Sequence, residues 1–373
     1  MELKDFWNSE EGVYDKSGDG EFMFEGEKYS SRVTRFDLNP LMRLMNPKVS
    51  YEDQVSLMDL FEIRQYPTSQ RVVTEVAPDL EKPSDAVVCV FPGWGETSAS
   101  FGGDFSGILL ESLIKDGGYS NPKVLAINGS GKGTEEYMQN KDRIARIGLR
   151  EELDDARMLA RYLNSTGHLS GDIYLLGHSM GYHTSLAFAE ELNSIAAADF
   201  LRNEVACKIA GIMEMMPSTD QPLGHLRPSF LLSVRKHLLP AVAQVLSGKG
   251  SLSLNDRDSA RILFSSEVDE ITEEARKATV VDSSKKFFDV TMNTVRASGL
   301  GWANGLPYVI AQGKNDNLIP DSMIKDSIDY WRHEKGAKVD GMVLPFAHSF
   351  PMQIVGEQRE ALSRFFKLAL GNR

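Results

Sequence analysis

DIYLLGHSMGYHTSLA, residues 172–187, is the stretch that decides how this chain is read. Asp172 to Leu176 is a short apolar run with β-formers and reads as a buried strand. Gly177-His178-Ser179-Met180-Gly181 follows at once, and Tyr182 to Leu192 then sets apolar and polar residues at helical spacing. A strand, G-x-S-x-G and a helix with no room between them require a sharp turn. Such a turn crowds the positions two residues before and after the serine, so Gly177 and Gly181 carry no side chain. Ser179 then projects from the strand end, beside a helix N-terminus whose free N–H groups suit developing negative charge. The alternative is an ordinary loop serine between a strand and a helix.

Composition narrows the class. The chain has 373 residues, 42% of them hydrophobic and 25% charged, as in ordinary globular proteins. That length suits two domains, or one α/β domain with an insertion. A formal net charge of −12 argues against a nucleic-acid partner. No apolar segment reaches ~18 residues, so no membrane-spanning helix is expected. MELKDFWNSEEG, at the start, has no basic region followed by an apolar one, so no secretory signal is expected. Two cysteines, Cys89 within an apolar run and Cys207 opening another, make no disulfide framework. A reducing, cytoplasmic setting is the simpler expectation.

Around the central stretch the chain alternates strands and helices. Arg71–Val76, Ala86–Phe91, Val124–Ile127, Ile209–Met216, Pro307–Gln312 and Lys338–Leu344 read as strands. Ala86–Phe91 is apolar throughout, as expected where both faces of a strand are covered. Phe105–Lys115, Leu149–Leu163, Ser322–Lys335 and Gln353–Leu370 read as helices. Phe22, Phe24 and Tyr29 suggest a small edge hairpin, and Leu57–Ile63 a helix. Between about 221 and 303 the strand pattern stops. Phe230–Leu246 (interrupted by Pro240), Ala260–Phe264, Glu267–Ala278 and Lys285–Val295 read there as helical pieces. The loop Asn128-Gly-Ser-Gly-Lys-Gly-Thr134 fails as a phosphate-binding loop, because Gly133 follows the lysine and Ala126 holds the first glycine position. It is read as a flexible loop near the active face.

This element order, with its G-x-S-x-G turn, resembles the α/β-hydrolase superfamily in its serine esterase, lipase and thioesterase branch, over roughly residues 70–373. The resemblance implies an α/β fold with a mostly parallel central sheet flanked by helices, and a helical cap inserted before the strand that carries the acid. The expected layout is a 1–69 extension packed on the core, a first core part at 70–220, the cap at 221–303 and a second core part at 304–373. It implies Ser179 as nucleophile, then Asp316 and His348 on two loops at consecutive strand ends, in the family's chain order of serine, acid, histidine. Asp220, after the strand preceding the cap, is the rival for the acid. By the same alignment the backbone N–H groups of Trp94 and Met180 form the oxyanion hole. Pro92 stands where the family has histidine, but the donor is backbone. His178 faces either the core or the oxyanion loop.

The chemistry needs all three residues. A serine hydroxyl is a poor nucleophile near neutrality, so a base, here His348, takes its proton and later passes it to the leaving group. Asp316 holds the imidazole in the required tautomer. The other histidines, His168, His183, His225, His237 and His333, lack metal-ligand spacing, so no metal and no cofactor are expected. The expected activity is cleavage of a carboxylic ester or thioester through an acyl-serine. The substrate is a small molecule with an apolar part, suggested by the cap and by Trp94. An acyltransferase or cyclase using the same acyl-enzyme, and a non-catalytic binding protein, are the alternatives.

Overall fold

The strand Ala86–Phe91 (β4) is buried at every position, and its side chains divide between two apolar layers. Val87, Cys89 and Phe91 point into one layer, and Ala86, Val88 and Val90 into the other. This is the period of two along a strand, made visible by burial on both faces. Each such side chain contributes roughly 1.5–3 kcal/mol when fully buried. The computed structural model describes residues 7–8, 13–14, 18–38, 69–101, 103–130, 132, 147–201, 208–217, 251–252, 282–283, 285–286, 289–290, 306–316, 319, 321–333, 336–349 and 354–371.

The other strands of the main sheet are β1 (Gly18–Phe24), β2 (Glu27–Leu38), β3 (Ser69–Ala77), β5 (Lys123–Ile127), β6 (Asp172–His178), β7 (Lys208–Met215), β8 (Tyr308–Gly313) and β9 (Val339–Leu344). Their spatial order is β9-β8-β7-β6-β4-β5-β3-β2-β1. From β5 to β9 all neighbours are parallel, while β3 runs antiparallel to β5, β2 to β3, and β1 to β2. The edge hairpin expected around Phe22 and Tyr29 is β1–β2, and it is larger than its aromatic residues suggest. β2 pairs with β3 from Ser30↔Ala77 to Leu38↔Ser69, so part of the 1–69 extension belongs to the sheet itself.

Among the described residues, five helices cover the sheet. These are α1 (Asp104–Lys115), α2 (Leu149–Ser165), α3 (Gly181–Leu201), α4 (Asp321–His333) and α5 (Glu357–Leu370). Buried residues of α2, α3 and α4 line the first layer, and those of α1 and α5 the second. α2 buries Leu153, Ala156, Leu159, Ala160 and Leu163, which helical spacing puts on one face. Its first turn is capped from outside: Leu149 N–H donates to Asp289 Oδ2 at 2.9 Å. α5 begins at Glu357 rather than at Gln353, because Gly356 at φ 54° cannot continue a right-handed helix backward. Among the described residues no helix is long and apolar enough to cross a membrane.

Of the 221–303 insertion, only 251–252, 282–283, 285–286 and 289–290 are described, so the pieces at Phe230–Leu246, Ala260–Phe264 and Glu267–Ala278 lie outside the described residues. So do the possible helix at Leu57–Ile63, Cys207 and Asp220. Ser251–Leu252 and Asp282–Ser283 pair as a two-stranded antiparallel ribbon.

Candidate active site

The chain runs from β4 out to β5 on one side and then back to β6 on the other. Strand order therefore reverses beside β4, and the carboxyl ends of β4 and β6 are where open α/β sheets of this kind bind their ligands. Trp94, Ser179, Met180, Asp316 and His348 lie on loops at this edge, while Asp220 is outside the described residues. Ser179 follows β6 and has φ 52°, a left-handed conformation that non-glycine residues rarely adopt. The strain is held by its surroundings. Ser179 N–H donates to Met215 O at 3.0 Å, and Tyr182 N–H returns to Ser179 O at 3.2 Å. The two glycines have a steric reason. A Cβ on Gly181 would come 2.0 Å from Phe91 O, and one on Gly177 would come 2.3 Å from Glu214 Oε2.

His348, on the loop after β9, places Nε2 2.9 Å from Ser179 Oγ. Its Nδ1 lies 2.9 Å from Asp316 Oδ2, on the loop after β8. The second carboxylate oxygen of Asp316 accepts from Ile319 N–H at 2.8 Å. With Asp316 accepting at Nδ1, the neutral ring carries its proton there and leaves Nε2 to accept from the serine hydroxyl. Burial alone would lower the His348 pKa. The charge and hydrogen bond of Asp316, with a further contribution from Glu96, outweigh it and raise the pKa above the ordinary histidine value. Such an arrangement can take a proton from the hydroxyl as its oxygen attacks an electrophilic carbon.

Strand order, the reversed β3, and a strained serine after β6 facing a histidine after β9 together decide the architecture. The fold is the α/β-hydrolase fold. No family model and no curated sequence matches the chain. Solved structures do. A soluble variant of monoglyceride lipase from Saccharomyces cerevisiae is 12% identical with a TM-score of 0.49, covering 80% of this chain and 92% of that one. An esterase from Exiguobacterium antarcticum is 14% identical with a TM-score of 0.48, covering 80% and 94%. An X-ray structure titled as a putative aryl esterase from Burkholderia cenocepacia is 17% identical with a TM-score of 0.46, covering 80% and 96%.

In this α/β-hydrolase fold the loop after β4 borders the serine. A Cβ on Gly93 would come 2.9 Å from Ser179 Cβ, so the backbone that carries the Trp94 N–H passes directly against the serine. Met180 follows Ser179 and leads into α3. The partly buried Trp94 indole packs against the first apolar layer, and Nε1–H donates to Ser283 O of the insertion at 3.0 Å.

Two further residues organise the site. Glu96 is buried, and its Oε2 accepts from Gly93 N–H at 3.0 Å and from His178 Nδ1–H at 2.5 Å. Its Oε1 accepts from Ser349 Oγ–H at 2.7 Å. Burial would raise its pKa, but the His178 charge and hydrogen bond, with the Ser349 hydroxyl, bring it down to about 2. Glu96 is thus an ionised acceptor. The other ring nitrogen of His178 lies 2.7 Å from His348 O, a carbonyl that only accepts. Both nitrogens of His178 are thus taken up by buried oxygen atoms. A buried histidine–carboxylate pair therefore joins the β4 loop, the serine turn and the histidine loop. The sequence shows His178 inside the turn but gives no sign of its partner, since Glu96 is 82 residues away.

Behind this pair lies a second buried charge cluster. Arg71 Nη1 is 2.8 Å from Glu152 Oε1, and Lys286 Nζ of the insertion is 2.7 Å from Glu152 Oε2. Burial would raise the Glu152 pKa, but the cations Arg71, Lys286 and Lys132 hold it well below the usual carboxylate range. Lys285 and Glu151 pair nearby at 3.1 Å. The described end of the insertion is therefore fastened to α2 and to Trp94.

Proposed function

We propose that the protein is a serine hydrolase that cleaves a carboxylic ester or thioester through an acyl-serine. The observation that carries this reading is the unbroken series Asp316–His348–Ser179, with 2.9 Å at each step, on a serine held at φ 52°. Ser179 Oγ bonds to the substrate carbonyl carbon while its proton passes to His348 Nε2. The carbonyl oxygen becomes an anion and meets the backbone N–H groups of Trp94 and Met180. Collapse breaks the bond to the leaving oxygen or sulfur, which takes the proton from His348. Water then attacks the acyl carbon, gives a proton to His348, and Ser179 is released with the acid product. Asp316 stabilises the imidazolium in both halves.

Residues 221–303 serve in this reading as a lid that selects a substrate with a sizeable apolar part. The contacts of Ser283 with Trp94 and of Lys286 with Glu152 support it, because they set these two residues of the segment against the loop after β4 and against α2. The test is labelling with a fluorophosphonate, together with turnover of p-nitrophenyl esters of increasing chain length and of acyl-thioesters. Label on Ser179 and hydrolysis are expected, and both vanish in Ser179→Ala. Hydrolysis at an undiminished rate in that variant overturns the assignment.

A further inference from the structure

The loop that fails as a phosphate site sends its lysine inward. Lys132 is 1% exposed. Its Nζ lies 3.2 Å from Gly93 O and 3.2 Å from Glu96 O, the two carbonyls that bracket the loop after β4. Gly129 makes room, since the lysine stem passes 3.2 Å from where a Cβ would stand there. An ammonium in such a place loses its water, and charge-assisted bonds to carbonyls replace only part of it. The negative charge of Glu152 nearby adds to them.

The carbonyl of Gly93 and the N–H of Trp94 belong to one peptide plane. No cis bond occurs among the described residues, so the two point in opposite directions. Fixing the carbonyl on Lys132 therefore turns the Trp94 N–H away from the ammonium, on a loop whose Gly93 packs against Ser179. Glu96 fixes the preceding plane by accepting from Gly93 N–H. We propose that Lys132 is a positioning residue that sets the 93–94 peptide so that its N–H is ready for the oxyanion before substrate arrives. This rests on the serine hydrolase reading above.

The test compares the full chain with Lys132→Met and Lys132→Arg, using p-nitrophenyl acetate and an aryl trifluoromethyl ketone. The ketone accepts Ser179 Oγ at its carbonyl carbon, the serine proton goes to His348, and an anionic oxygen is left in the hole. Active sites are counted by fluorophosphonate at the labelling end point. Lys132→Met is expected to lower kcat per labelled site on the order of 10²–10³-fold, the usual loss of one oxyanion donor, with KM nearly unchanged. Inhibition by the ketone weakens by the same factor, and Lys132→Arg recovers most of both. A lysine needed only for folding would reduce the number of labelled sites and leave kcat per site intact, and that result overturns the proposal. Should Lys132→Met not fold, Lys132→Gln is held to the same outcomes. A wild-type chain that neither labels nor hydrolyses removes the hydrolase reading and this inference together. An active wild type with normal turnover per site in the variant removes the lysine alone.

Discussion

Two histidine–carboxylate pairs lie side by side in this molecule, their rings 5.3 Å apart, and they are built for opposite ends. His348 has Asp316 on one nitrogen and a serine hydroxyl on the other. His178 has Glu96 on one nitrogen and a backbone carbonyl on the other. A hydroxyl can give its proton away, so His348 can pass between neutral and charged forms. A carbonyl cannot, so His178 has no proton to collect there and serves as a tie between loops. What lies opposite the carboxylate decides whether a buried histidine moves protons or holds structure.

The sharpest way to break this contrast is to delete each ring. His348→Ala is expected to lower kcat on the order of 10⁶-fold, with the smaller loss of stability of the two, since Asp316 keeps its bond from Ile319 N–H. His178→Ala leaves Glu96 as an uncompensated buried charge and is expected to cost roughly 3–5 kcal/mol in denaturant unfolding. Equal losses of stability in the two variants would show that the rings are not divided in this way.

The carboxylates come next. Asp316→Asn should reduce kcat about 10⁴-fold, as loss of the tautomer-setting acid does. Glu96→Gln should act mainly on pH. The base must be neutral, so kcat/KM rises as pH passes upward through the His348 pKa. That pKa is raised, in part by Glu96, so the acid limb lies above ~6.5 in the wild type and moves to lower pH in Glu96→Gln. An unmoved limb argues against electrostatic coupling. Glu96 itself has a depressed pKa, so its stabilisation is fully present above the unfolded carboxylate value near ~4.5 and is lost as pH falls toward about 2. The variant lacks that part of the acid-unfolding slope.

The smallest expected effect concerns the insertion. Trp94→Phe removes one hydrogen bond to Ser283 while keeping the ring. About 1 kcal/mol is at stake, and it should appear as an altered KM and chain-length preference rather than as slower labelling of Ser179. Unchanged KM across the ester series would detach the insertion from substrate choice.

The sequence made the parallel core legible because its strands are short apolar runs bounded by turn residues, β4 most clearly. The strand–turn–helix at Ser179 was legible for the same kind of reason: its two glycines answer contacts within a few ångströms. Asp316 and His348 were placed by the order of elements, and the structure brings them within reach of Ser179. The length of β2 was hidden because EKYSSRVTRFDL is largely polar and lies toward the sheet edge, where burial does not demand an apolar run. Lys132 was hidden more deeply. A lysine among glycines reads as exposed, and its burial depends on carbonyls 36 and 39 residues earlier and on a carboxylate in the next helix. Glu96 and His178 posed the same difficulty, since a charge pair of this separation leaves no periodic trace.

The tie through Glu96 also sets when the site can exist. Its carboxylate joins Gly93 to Ser349, which lies 253 residues beyond Glu96, and Ser179 meets His348 169 residues later. Contacts of such long range close late, after the local helices and neighbouring strands have formed. During synthesis Ser179 and its turn emerge far ahead of the loop that carries His348, so the series of the proposed site is incomplete in the growing chain. It closes only when residue 349 has left the ribosome and docked.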